Sequence, residues 1–145
     1  MAFPCFAQFR QVELKFQGTG CESCTQSLPS RLQRIRGVES AGVDAGQGKV
    51  RVKLAPQNRV RLEQLRDAVE QDGTRAVAAT VVVHGKLERS DGGWVLQPVG
   101  VGSSYAVEAE PAELSAGAWR VRGTVVDLHP RTGPIRITDA TVEKD

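Results

Sequence analysis

Two cysteines with two residues between them stand in Gly18-Thr19-Gly20-Cys21-Glu22-Ser23-Cys24, and of all the residues in this 145-residue chain they are the best suited to chemistry. At a loop-to-helix junction that spacing lets two thiols either close a disulfide or hold one soft metal ion, and spacing alone leaves both open. Thiolates are soft donors. Two of them suit Cu(I) or Hg(II), which accept low coordination numbers, whereas a closed Zn(II) site wants four ligands. No histidine lies near the loop in sequence. A helix starting at the pair would favour the thiolate form through its dipole and help hold an anionic bis-thiolate complex, with Glu22 as a solvated first-turn residue rather than a ligand. An open two-coordinate site can also admit a partner's cysteines, so the chemistry is that of transfer. Two other readings compete: thiol redox chemistry, although no Trp or Pro sits within the Cys21 to Cys24 loop to tune a disulfide, and a scaffold in which metal or disulfide only stabilises the loop.

The elements around the pair can be read from periodicity. Val12, Leu14 and Phe16 alternate with Glu13 and Lys15, and with Phe9 they predict a half-buried strand ending at Gly18. Leu28, Leu32 and Ile35 recur at helical spacing, which predicts a helix from near Cys24 to Arg36, stopped by Gly37. Pro29 is awkward there: the helix either kinks at it or starts late with Pro29 near its first turn, which would leave the cysteines on a longer loop. Residues 38–43 read as a short strand and residues 44–48 as a turn. Lys49, Arg51 and Lys53 then alternate with Val50, Val52 and Leu54, giving a strand with one apolar and one basic face that ends at Pro56. Leu62, Leu65, Ala68 and Val69 mark a second helix closed by Gly73, and the apolar run 76–83 a last strand. Strand, helix, strand, strand, helix, strand is the ferredoxin-like order, so the expected fold class is α+β.

On these residues the chain resembles a known family. Cys21 and Cys24 follow the first strand, Gly37-Val38 comes thirteen residues after Cys24, and Gly48-Lys49-Val50 and Leu62-Glu63-Gln64-Leu65-Arg66 lead on to Gly73. Residues 9–83 thereby resemble the heavy-metal-associated domain, the module of copper chaperones, of the N-terminal tails of metal-transporting P-type ATPases and of mercury-binding proteins. The resemblance implies a Cu(I) ion, with Hg(II) and Zn(II) as alternatives, held by Cys21 and Cys24 and handed to an acceptor metal-binding domain or a metal-transporting ATPase. Gly18, Thr19 and Gly20 would shape the loop; the family commonly has Gly-Met-Thr there, so its buried methionine is missing. After Gly73 the family often carries an aromatic or a lysine, and here Thr74 and Arg75 stand in that place, with Arg75 as the charge that would balance the metal site. Arg31, Arg34 and Arg36 on the first helix read either as a basic docking surface for an acidic partner or as solvated helix faces.

Composition bounds the rest. With 40% hydrophobic and 25% charged residues the chain reads as a soluble globular protein, and its net charge of +2 does not point to nucleic acid. No apolar run is long enough to span a bilayer and the first ten residues lack the pattern of a secretory leader, so direct membrane insertion is not expected and the cytoplasm is the expected location. Three cysteines are too few for a disulfide scaffold, and a reducing compartment would keep the pair as thiols. Residues 1–8 read as an N-terminal extension, in which Cys5 is a small buried hydrophobe or a third ligand. Residues 9–86 form the metal-binding part and 87–93 a linker. Residues 94–145 should make a small all-β barrel or sandwich similar to an oligonucleotide-binding fold, with strands at 94–96, 104–109, 118–126, 134–137 and 141–143. That part is expected to serve docking or homodimerisation. Its arginines are balanced by acidic residues, which speaks against a phosphate-tracking groove. Trp94, Tyr105 and Trp119 read as packing rather than stacking residues, and His84 and His129 as non-ligands. No nucleophile with a base, no paired carboxylates and no phosphate loop occur, so the chain is not expected to be an enzyme.

Overall fold

The alternation along the first strand builds β1 (Gln8–Gln17), whose Phe9, Val12, Leu14 and Phe16 are buried on one face. The computed structural model describes residues 8–17, 22–44, 46–55, 58–71, 73–90, 93–99, 103–109, 117–131 and 133–144; Phe3, Cys5 and Phe6, discussed above, lie outside them. After β1 come α1 (Glu22–Gln33), β2 (Val38–Asp44), β3 (Lys49–Leu54), α2 (Leu62–Glu70) and β4 (Arg75–Ser90). The strands pair antiparallel in the order β2-β3-β1-β4. Leu28 and Leu32 of α1 and Leu62, Leu65 and Val69 of α2 share one core with Val12, Leu14, Val50, Val52 and Val81, so both helices cover the same face of the sheet. This is the expected ferredoxin-like arrangement. No helix among the described residues is long and apolar enough to cross a membrane.

Several expectations change in detail. Helix α1 begins at Glu22 and contains Pro29, which removes the reading of a late start; it ends at Gln33, three residues before Arg36. The chain leaves it in two tight turns, Ile35 N–H to Leu32 O at 3.0 Å and Val38 N–H to Ile35 O at 3.1 Å, so Ile35 packs on the core without being helical. Gly37 has φ +103°, and a Cβ there would meet the Asn58 Cβ at 2.8 Å, so both conformation and space call for glycine. Asn58 is buried and fully used: its Nδ2 donates to Phe9 O at 2.8 Å and Ala55 O at 2.7 Å, and its Oδ1 accepts from Val60 N–H at 3.0 Å. It braces the connection between β3 and α2 against β1.

The expected linker is corrected at its first half, because residues 87–90 are the end of β4, paired with Gly93–Leu96 of the next strand. β4 is followed by β5 (Gly93–Val99), β6 (Ser103–Ala109), β7 (Gly117–Val125) and β8 (Ile135–Lys144). β5 pairs with β4 and β6, β6 runs parallel to β8, β8 pairs with β7, and β7 returns to β4 over Ala79–Leu87. The five strands therefore form a closed ring that shares β4 with the first sheet. The two short strands expected at 134–137 and 141–143 are one strand, β8, with an extra residue around Asp139, whose φ is +50°. Opposite that bulge lies Gly123, where a Cβ would stand 2.4 Å from Ile137 Cγ2.

The ring also holds α2. Position 61, before the first helical residue, is an arginine, which cannot accept a hydrogen bond from the free N–H groups of a helix start. The Tyr105 hydroxyl on β6 does so instead, accepting from Leu62 N–H at 3.1 Å and donating to Glu63 Oε1 at 2.5 Å, while its ring packs edge-on against Phe9 with centroids 5.3 Å apart. Burial first, and then the Glu63 carboxylate, raise the Tyr105 pKa far above the ordinary tyrosine value and keep it a donor. Further along α2, Arg66 Nη1 donates to Leu128 O at 2.7 Å, and Glu70 Oε2 accepts from Ala76 N–H at 3.1 Å and meets His129 Nε2 at 2.8 Å.

Candidate metal site

The C-x-x-C falls where β1 hands over to α1. β1 ends at Gln17 and α1 begins at Glu22, so only residues 18–21 connect them, and Cys24 is the third residue of the helix. A first-turn position is where unpaired backbone N–H groups and the positive end of the helix dipole favour an anionic sulfur. Gly18, Thr19, Gly20 and Cys21 lie outside the described residues, as does the side chain of Cys24.

The frame around that connection is well defined. Gln17 is directly opposite Arg75 in the β1–β4 register, and Phe16 is opposite Ala76, so exposed Arg75 stands beside the strand end from which the cysteine loop departs. Buried Thr74 precedes it, and the turn between β2 and β3 closes the same end through Phe16 N–H to Gly48 O at 2.8 Å. The other arginines are elsewhere. Arg31 is half-buried in the last turn of α1, and Arg34 and Arg36 are exposed in the turns beyond it. Ten residues separate Cys24 from Arg34, roughly 15 Å at the helical rise, so these cations sit at the opposite end of the helix and not beside the cysteines. His84 accepts from Arg120 Nε at 3.1 Å, and His129 pairs with Glu70. Among the described residues no group of three or more His, Cys, Asp or Glu could hold a metal ion.

Comparison with known proteins bears on this arrangement. The heavy-metal-associated domain matches residues 13–74. The copper chaperone CopZ of Staphylococcus haemolyticus is 37% identical over 60 residues, 41% of this chain and 87% of that protein. This chain belongs to the heavy-metal-associated domain family. CopZ of Staphylococcus aureus is similar at 35% over 60 residues, and a solved CopZ metallochaperone, 34% identical, superposes on 46% of this chain and 98% of that one with a TM-score of 0.42. The heavy-metal-associated match stops before β4, so β4 and the strands β5 to β8 that complete the ring lie beyond it.

Proposed function

We propose that this chain binds a soft metal ion, Cu(I) before Hg(II) or Zn(II), through Cys21 and Cys24 and passes it to an acceptor metal-binding domain such as that of a metal-transporting ATPase. The observation that carries this reading is the C-x-x-C pair at the β1–α1 connection of a heavy-metal-associated domain. Two thiolates at a helix start satisfy Cu(I) at low coordination number and leave room for an incoming thiolate. Transfer would run through three-coordinate exchange: an acceptor thiolate adds to the metal, one of the two chain sulfurs leaves, and a second exchange releases the ion. Arg75, beside the loop, would offset the negative charge of the bis-thiolate complex. Arg31, Arg34 and Arg36, at the far end of α1, are better placed to orient an acidic acceptor than to touch the metal. The chain would act as a cytoplasmic carrier and not as an enzyme.

For the ring, the reading is a small barrel of the oligonucleotide-binding type, in a supporting role. Counted from β4, its order is first, second, third, fifth, fourth and back to the first, with the third and fifth strands parallel. That order suits the five-stranded Greek-key barrel. Because fold does not imply ligand, the ring is assigned the bracing of α2 and β4.

The test is a Cu(I) titration of the reduced protein against a chromophoric chelator, with a Cys21→Ser, Cys24→Ser double variant alongside. One tight equivalent that is lost in the variant and moves to an acceptor domain is expected. A wild type unable to outcompete a weak chelator would sink the carrier reading and favour redox or scaffold roles.

A further inference from the structure

The pairing of β7 with β4 extends the sheet past the ferredoxin-like part, so that β3, β1, β4 and β7 present one continuous face on the side away from the helices. Inward positions along these strands, such as Val52, Val12, Val81 and Val121, are buried, and the residues between them point outward. One row of outward positions joins Lys53 on β3, Gln11 on β1, Val82 on β4 and Arg122 on β7. At this row β1 bulges: Phe9 pairs with Val83 and Gln11 with Val82, so Arg10 is the extra residue and shares the outer side with Gln11. The row spans about 14 Å from Lys53 to Arg122 at ordinary strand spacing.

Arg10 is the unexplained residue on this face. Its Nε is buried and has no hydrogen-bond partner. A buried guanidinium nitrogen left unpaired is costly. Arg122 makes no ion pair among the described residues. Arg51 and Lys53 meet Glu13 at 3.1 Å and Glu39 at 3.9 Å yet remain 69% and 68% exposed, which makes these pairs weak. Arg120 reaches Glu143 only at 3.7 Å. Beside the row, β1, β2 and β3 enclose a groove lined by Lys49, Arg51 and Lys53, with Glu13 and Asp44 as its two carboxylates.

We propose that this face docks an acidic polypeptide segment, with a carboxylate taken by Arg10 and flanking carboxylates by Lys53 and Arg122. Successive same-side residues of an extended chain are about 7 Å apart, half of the roughly 14 Å from Lys53 to Arg122, so a segment lying across the strands brings carboxylates at alternate residues to Lys53, Arg10 and Arg122 in turn. Single-stranded nucleic acid fits less well, because no Phe, Tyr or Trp occurs among the described outward positions of these four strands to stack on a base. The surface is separate from the cysteine end, so it would anchor a partner without covering the metal loop.

The test uses the full chain and a fluorescein-labelled peptide alternating glutamate and serine, read by anisotropy at low and moderate salt, with oligo-dT and phosphatidylserine vesicles as competitors. Lys53→Glu with Arg122→Glu should raise the peptide Kd by at least about tenfold, and Arg10→Gln by about fivefold. Arg131→Glu, an equal charge change on an exposed residue outside this face, should change it by less than about twofold. Absence of peptide binding, an equal loss in Arg131→Glu, or preference for oligo-dT or vesicles over the peptide would each overturn the proposal. The two exposed charge reversals keep the test valid should Arg10→Gln fail to fold.

Discussion

The two helices cover the same sheet face and are held there differently. α2 buries Leu62, Leu65, Ala68 and Val69 and is tied at both ends and in the middle: beyond its own sheet to Tyr105 at its start, to the Leu128 carbonyl at Arg66 and to His129 at Glu70, and within it to Ala76 of β4, also at Glu70. α1 packs on β2, β3 and α2, buries Leu28 and Leu32, and carries a proline in its middle; its first turn contains Cys24. On the proposed function, the contrast would assign one helix to stability and the other to chemistry. A carrier must release its ion, and release would need a metal-bearing turn whose geometry can change without unfolding the rest. Placing the ring's ties on α2 leaves that turn outside the most heavily braced part of the core.

The sharpest way to break this division is to remove the thiols and look at folding. Cys21→Ser, Cys24→Ser should abolish tight Cu(I) binding, a loss of many orders of magnitude, yet shift the unfolding free energy of the metal-free reduced chain by less than about 0.5 kcal/mol. A loss above about 2 kcal/mol in urea denaturation would mean that the pair is structural. Next in size is Tyr105→Phe, which keeps the edge contact with Phe9 and removes only the hydroxyl. With Leu62 N–H and Glu63 both left without it, unfolding free energy should drop by about 1–3 kcal/mol while Cu(I) affinity stays within twofold, roughly 0.4 kcal/mol. If affinity fell with stability, the two helices would be coupled and the division would fail. Arg66→Ala is the smaller version: losing the hydrogen bond to Leu128 O and the exposed pair with Asp67, from a side chain 18% exposed, should cost about 1 kcal/mol, again without change at the metal.

How much of this is legible in the sequence depends on range. β1, β3 and α2 announce themselves because alternation and helical spacing are local and each element has one wet face. The spacing makes α1 three residues too long, because Ile35 keeps the helical interval of Leu28 and Leu32 while the backbone has already turned to bring Gly37 against Asn58. It makes β4 too short: Gly85, Lys86, Glu88 and Arg89 look like a loop, and only pairing with β5 and β7 makes them strand. β8 looks like two pieces because Asp139 takes a left-handed conformation within it, opposite a glycine fifteen or so residues earlier whose purpose appears only once the strands meet. At the candidate site the Cys21 and Cys24 spacing is legible. That Arg31, Arg34 and Arg36 lie at the other end of α1 follows from counting residues along a helix. The cationic face is half legible, since Lys49, Arg51 and Lys53 alternate; its continuation through Arg122 depends on a pairing between distant strands. Tyr105 as the cap of α2 has one local hint, the unsuitable Arg61 at the cap position, and no local sign of its replacement.

The smallest expected effect tests the other side of the comparison. Pro29 is the eighth of the twelve residues of α1, so the Thr25 carbonyl lacks its N–H partner four residues on and the proline ring crowds that turn. Alanine would restore the donor and the best intrinsic helix propensity. Against this, proline restricts the unfolded chain, and the half-buried ring gives up some apolar contact when replaced. The helix-interior penalty outweighs both, so Pro29→Ala should stabilise the chain by about 1 kcal/mol, measured as a rise in the urea midpoint at unchanged slope. The informative quantity is the Cu(I) off-rate into an acceptor domain measured on the same variant. If proline keeps the first turn of α1 adaptable, the stabler variant should release the metal severalfold more slowly. Equal rates at higher stability would show that Pro29 is a local strain with no part in transfer, and the functional side of the contrast would then rest on the cysteine loop alone.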